Sequence, residues 1–355
     1  MTDFLIIGGG IAGVSAGSEL AKLGRVTLLE MESALGYHAS GRSAALYEQR
    51  YGLPSTIALS AASADALWDR EVLQDRGLML VGGLDQISDG RREAEQMEML
   101  EIGLDAAQKI VPILNPDTVG FVAHHRETWD IDTDKLIQSF ARDIRQNGQI
   151  VTGVTVDSIE RTQNGWRVHA GGREWTADIV VNAAGPWADH VASLARVSPI
   201  GLQPKRRSMA RIPAPGGFDV AQWPMMLGVG ESWYAKPDAG AFIVSPAEEH
   251  DSAPMDAWAD DMVIAEGLAR YEHHVTEPVT RLETTWAGLR SFSPDRNLVL
   301  GPDPQVPSFV WVAGQGGYGF QSAPAAGRLV ADLVGGRSPE LASDIVMKLS
   351  PGRFQ

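Results

Sequence analysis

Phe4-Leu5-Ile6-Ile7 is a short apolar run closed by Gly8, the pattern of a strand buried on both faces of a parallel sheet. Residues 11–23 are rich in Ala and Leu, carry Leu20 and Leu23 on one face and stop at Gly24, which predicts a helix ended by glycine. Val26-Thr27-Leu28-Leu29 repeats the buried-strand pattern, so strand, helix and strand close within about 30 residues, the length of a βαβ crossover. Farther along, residues 134–147 predict a helix and residues 154–159, 166–170 and 179–182 predict strands. Residues 202–245, punctuated by Pro and Gly, predict an antiparallel sheet. Residues 257–271 predict a helix, 309–312 a strand and 322–334 a closing helix with Pro324 in its first turn. No repeat or linker divides the chain, and the strand–helix corners fall at its beginning, middle and end. That spacing predicts two intertwined domains.

Composition narrows the function. Among 355 residues, 30 Lys and Arg stand against 45 Asp and Glu, a formal charge of −15. Such a chain lacks the basic footprint that nucleic-acid binding requires. Cysteine is absent, which excludes disulfides, thiolate metal sites and cofactors tethered through a thioether. No histidine or acid cluster has metal-ligand spacing: His124-His125 and His273-His274 are adjacent pairs, which do not share a face of a helix or strand. Glu248-Glu249 and Asp260-Asp261 read as solvated surface. Met1-Thr2-Asp3 carries no basic leader and no stretch reaches the roughly 20 apolar residues of a membrane helix, so a cytoplasmic protein is expected.

Glycine supplies the chemistry. Gly8-Gly9-Gly10-Ile11-Ala12-Gly13 is a G-x-G-x-x-G corner between strand and helix. Gly8 permits the turn, Gly10 lets a pyrophosphate approach the backbone, and Gly13 lets helix and strand pack closely. Glu30 ends the second strand, where a carboxylate accepts from a ribose 2′-hydroxyl. NAD and FAD both satisfy this corner. The segment Gly36-Tyr37-His38-Ala39-Ser40-Gly41-Arg42-Ser43-Ala44-Ala45 and a second glycine corner, Ala313-Gly314-Gln315-Gly316-Gly317-Tyr318-Gly319, favour FAD. Two corners can direct backbone N–H groups at one extended ligand with a large ring system.

These segments, with Val180-Val181-Asn182-Ala183-Ala184-Gly185, resemble the D-amino acid oxidase (DAO) family of FAD-dependent oxidoreductases. Residues 201–208, 234–240 and 286–292 resemble in particular the substrate segments of its bacterial D-arginine dehydrogenases. The resemblance implies an α/β (α+β) fold: a Rossmann-like FAD-binding domain over 1–76, 132–198 and 299–355, intertwined with a mixed or antiparallel-sheet substrate domain over 77–131 and 199–298. It implies non-covalent FAD held by Gly8, Gly10, Ile11, Ala12, Gly13 and Glu30, by Gly41, Arg42, Ser43 and Ala44, and by Val154, Ala184 and Gly185. Gly314, Gly316, Gly317, Tyr318 and Gly319 complete that set.

The same resemblance makes Arg290 the clamp of a substrate carboxylate, with Tyr234 donating to it. Arg207 and Tyr51 join the pocket, and Gly317 and Gln321 lie beside the substrate amine and the flavin. The implied reaction is oxidative deamination of a D-amino acid by hydride transfer from Cα to flavin N5, giving a 2-oxo acid, with oxygen or a quinone as electron acceptor. Leu46, Leu78 and Leu227 are expected to line the side-chain pocket. Leu78 replaces a glutamate, and Leu46 a histidine, of relatives that take cationic substrates. A guanidinium left unpaired against leucine costs several kcal/mol, so neutral apolar side chains are expected. The alternatives left open are oxidation of a secondary amine, N-methyl or cyclic, and a non-catalytic FAD-carrying subunit.

Overall fold

The computed structural model describes residues 2–354; Met1 and Gln355, the outer limits of the expected FAD domain, lie outside them. Strand β1 (Thr2–Ile7) is followed by helix α1 (Ile11–Leu20) and strand β2 (Val26–Leu29). β1 is central: it pairs in parallel with β2 on one side and with Arg173–Asn182 on the other. Gly148–Val151 extends the parallel array beyond β2, and Phe309–Ala313 extends it beyond Arg173–Asn182. α1 and the helices Thr133–Gln146 and Gly319–Val334 bury one face, and the helix Ala188–Leu194 with the strand pair Val156–Thr162 and Gly165–Ala170 covers the other. Burial on both faces explains why these strands read as continuous apolar runs.

A second sheet of nine strands runs from Thr284–Phe292 and Gln203–Pro213 through Ala241–Ser245, Tyr234–Asp238 and Met225–Gly228 to Leu78–Gly83 and Val119–His125. It is not wholly antiparallel, as residues 202–245 predict: Met225–Gly228 pairs in parallel with Leu78–Gly83. That pairing joins two distant segments, which local periodicity does not report. A third, three-stranded sheet joins Leu46–Tyr47 and Leu73–Asp75 to Trp129–Ile131, tying residues on both sides of the expected division at 76 and 131.

Three helix expectations are corrected. α1 ends at Leu20, and the chain reaches Gly24 through a turn in which the Leu23 and Gly24 amides both donate to the Leu20 carbonyl. The helix expected over 257–271 spans Asp261–His273, because the Asp260 carboxylate accepts from the Met262 and Val263 amides and fixes its start. The closing helix begins at Gly319, so Pro324 lies in its second turn. Proline disturbs the local backbone ladder there. The Ala325 amide donates to Ser63 Oγ at 3.1 Å.

Candidate active site

A cavity of about 430 Å³ lies between the carboxyl ends of the parallel strands and the inner face of the second sheet. In open α/β sheets this is where ligands bind. Gly8 turns the chain at its dinucleotide end with φ of +108°, and a Cβ there would sit 2.3 Å from the Ala183 carbonyl oxygen. Gly10, Ile11 and Ala12 line the cavity. Gly13 does not; it packs against the Gly8 carbonyl, the helix–strand contact expected of it. Glu30 is buried at the end of β2, accepting from the Gly9 amide at 2.5 Å and the Glu32 amide at 2.8 Å. Ser40 Oγ accepts from the Ile11 amide at 3.0 Å.

Arg42, Ser43, Ala44, Val154, Ala184 and Gly185 also line this half. The Arg42 guanidinium is committed to the carbonyls of Ala257 and Ala287 and to Asp256, so it braces the wall. Gly41 is a turn residue whose amide donates to the Gly36 carbonyl. Gly314, Gly316, Gly317 and Gly319 line the cavity, while the Tyr318 ring lies against Tyr51, centroids 5.3 Å apart. Ser291 Oγ and Gln315 Nε2 are buried without hydrogen-bond partners, and both residues line this stretch. Buried polar atoms without partners call for a polar ligand. The glycine corners, the acid at the end of β2 and these two atoms fit FAD.

The far end holds the titratable groups. Arg290, on Thr284–Phe292, and Arg207, on Gln203–Pro213, are diagonal neighbours: Lys205 pairs with Arg290 and Arg207 with Gly288. Arg207 is buried, its Nε donating to the Glu248 carbonyl at 2.9 Å and its Nη2 to Glu249 at 3.5 Å. Burial, then the charge of Arg290, lowers its pKa. Arg290 faces the cavity and makes no hydrogen bond or ion pair with another described residue. Burial works against its charge, but Tyr234, Tyr51, Glu231 and Glu249 outweigh it and raise its pKa. Tyr234 Oη is buried with no partner. A Cβ on Gly317 would come within 2.9 Å of Arg290 Nη1, so the absence of a side chain there lets the guanidinium lie flat on the backbone.

Tyr51 Oη donates to Glu231 Oε1 at 2.8 Å, and burial, then the Glu231 charge, raises the tyrosine's pKa. Gln321 engages the nearby turn: its Oε1 accepts from the Glu48 amide and its Nε2 donates to the Tyr51 carbonyl, both at 3.3 Å. Leu46, Leu78 and Leu227 line the cavity, joined by Met97, Met209 and Met225.

Several residues here escaped the sequence reading. Glu231 follows Gly230 in a turn three positions before Tyr234, a signal that an acid in a glycine turn beside a pocket residue supplies. Glu48 lies two positions after Leu46, on the same stretch. The expectation that Glu248-Glu249 is solvated surface is wrong: Glu248 is buried, and Glu249 pairs with Arg207 and with Arg296 at 3.0 Å. Their placement depends on Gln203–Pro213 folding back against them. Trp233, just before the strand Tyr234–Asp238, is buried in the core against Tyr271 and does not line the cavity.

The glycine corner between β1 and α1, with an acid at the end of β2, is a dinucleotide-binding arrangement, and the cavity beyond it ends at Arg290, Arg207, Tyr234 and Tyr51. The model of the DAO family, FAD dependent oxidoreductase, matches residues 3–333, and the chain belongs to that family, with FAD as its cofactor. The FAD-dependent oxidoreductase domain-containing protein 1 of Bos taurus is 25% identical over 395 residues, covering 94% of this chain and 81% of that one. Glycine oxidase of Pseudomonas aeruginosa is 28% identical over 369 residues, covering 94% and 95%. In fold, the crystal structure of L-proline dehydrogenase from P. horikoshii superimposes with a TM-score of 0.84 at 22% identity, over 99% and 97% of the two chains. Among the described residues, no helix is long and apolar enough to cross a membrane.

Proposed function

We propose that this protein oxidises α-amino acids at Cα, taking D-amino acids with neutral apolar side chains to imino acids that water hydrolyses to 2-oxo acids and ammonia. The observation that carries the reading is the pair of unengaged groups at the far end of the cavity. Among the described residues Arg290 has no hydrogen-bond or ion-pair partner, and Tyr234 Oη is buried without one. A planar guanidinium and a hydroxyl donor suit a carboxylate, which would satisfy both. Arg207, already held by Glu248 and Glu249, adds positive potential without needing to move.

FAD, when bound, supplies the two-electron acceptor. The chain's own task is orientation: Arg290 and Tyr234 fix the carboxylate, and the wall of Leu46, Leu78, Met225 and Leu227 takes the side chain and excludes water. Preference for the D configuration rests on the family resemblance of the clamp. A second reading, in which the amine is secondary, uses the same carboxylate clamp and the same approach of the Cα–H bond to the flavin.

Anaerobic titration of the FAD-loaded protein with D- and L-amino acids, sarcosine and both prolines tests these readings by loss of the flavin's visible absorbance. Bleaching by D-Leu, D-Met or D-Phe is expected. Bleaching by sarcosine or proline alone moves the assignment to secondary amines, and no bleaching by any of them refutes both readings in favour of a non-catalytic FAD carrier. Reoxidation by air against a soluble quinone then identifies the acceptor.

A further inference from the structure

One buried acid at the cavity has no part in the clamp. Glu48 is 3% exposed and lines the cavity. Its Oε1 accepts from the Arg50 amide at 3.0 Å, and its Oε2 accepts from Thr128 Oγ1 at 2.6 Å. His125 Nε2 lies 3.0 Å from the same Oε2. His125 stands opposite Leu78 in the strand register, and Glu48 follows Leu46 by two residues. The carboxylate is therefore fixed beside the two leucines from which a cationic side-chain partner is missing. The other acid at this end, Glu231, is taken by the Tyr51 hydroxyl, and its charge bears on Arg207 and Arg290.

On the reading above, a substrate Cα carries four groups. The carboxylate goes to Arg290 and Tyr234, the side chain to the apolar wall and the hydrogen toward FAD, which leaves the amine. We infer that Glu48 faces the substrate's α-amino group, attracting it as ammonium on binding and stabilising positive charge on nitrogen during oxidation. The bound ammonium first gives one proton to water, and as the Cα–H bond breaks the hydrogen leaves with the electron pair, as hydride, to FAD, the oxidant of this family. The nitrogen lone pair of the neutral amine then forms the C=N bond, so nitrogen becomes cationic. A carboxylate whose acceptor positions are already fixed by three protein contacts needs no reorganisation to oppose that charge.

The inference depends on the carboxylate clamp but is tested apart from turnover. 2-Aminoisobutyrate has no Cα–H and cannot be oxidised, and isobutyrate is its counterpart without the amine. Calorimetric titration of the FAD-loaded protein with each gives the affinity that the amine contributes. In Glu48→Gln, the affinity for 2-aminoisobutyrate is expected to fall about tenfold or more, the scale of a close charge pair, while that for isobutyrate holds. Should Glu48→Gln fail to fold, Glu48→Asp, which retracts the charge by one methylene, weakens the amine-bearing ligand alone. The limiting rate of flavin reduction by the best amino acid is also expected to fall about tenfold or more in Glu48→Gln. Equal losses for both ligands, or no loss for either, overturn the inference, as does a gap that survives Glu48→Gln and vanishes in Glu231→Gln. Failure of the wild type to bind isobutyrate counts against the clamp instead.

Discussion

Replacing Arg290 with methionine removes a guanidinium that makes no hydrogen bond or ion pair with another described residue. No hydrogen-bonding partner is stranded; the fold gives up the packing of the side chain against Gly317 and the attraction of Glu231 and Glu249 for its charge. The cost falls on the ligand. A hydrogen bond to a charged group contributes about 1.5–3 kcal/mol, and a bidentate clamp makes two. Allowing for non-additivity between neighbouring bonds, a net loss of about 4 kcal/mol corresponds to roughly a thousandfold in kcat/KM. Arg290→Lys, which keeps the charge but loses the planar fork, is expected to lose about ten- to a hundredfold. Anaerobic stopped-flow reduction of the FAD-loaded variants by D-Leu measures both, with thermal melts beside it. A loss below about fivefold in Arg290→Met, with the protein folded and FAD bound, refutes the clamp.

Four further outcomes follow from the same geometry. Gly317→Ala places a Cβ 2.9 Å from Arg290 Nη1, and the displaced guanidinium is expected to raise KM for amino acids by about tenfold or more in the FAD-loaded protein; unchanged steady-state kinetics contradict it. Leu78→Glu puts a carboxylate in the apolar wall and is expected to raise kcat/KM for D-Arg and lower it for D-Leu, each by about tenfold; an unaltered substrate panel speaks against that wall as the side-chain pocket. Glu30→Ala leaves the Gly9 and Glu32 amides without their acceptor and is expected to weaken FAD retention, read as the ratio of flavin to protein absorbance after dialysis.

The fourth concerns acid stability. Burial opposes the charge of Asp295, but hydrogen bonds from Arg353 and Ser293 outweigh it and lower its pKa from 3.8 to about 2. Depressed in the folded state, this group stabilises the protein above about pH 4 and loses that contribution as pH falls through about 2. Asp295→Asn should therefore melt below wild type at pH 6, with the gap narrowing at pH 3; a constant gap contradicts the linkage.

Local pattern reported the nucleotide half of this molecule well, because there each function is carried by backbone shape. Gly8, Gly10 and Gly13 read directly as a corner, and Glu30 is fixed by strand length. The substrate half depends on which strands meet across the second sheet. Arg290 and Tyr234 were legible through family resemblance, whereas Glu48 reaches the cavity because His125 and Thr128 hold it from a segment nearly 80 residues away. Met225 likewise became cavity wall through pairing of Leu78–Gly83 with Met225–Gly228, and no periodicity within either segment announces that contact. Pro324 shows the same limit within a helix, since Ser63, from another helix, bonds the amide of the residue that follows it.

The central claim is tested most directly by a crystal structure of the FAD-loaded protein with 2-aminoisobutyrate bound. The carboxylate is expected between the Arg290 guanidinium and Tyr234 Oη, within hydrogen-bond distance of both. A carboxylate bound elsewhere in the cavity, with Arg290 and Tyr234 still unengaged, contradicts the account.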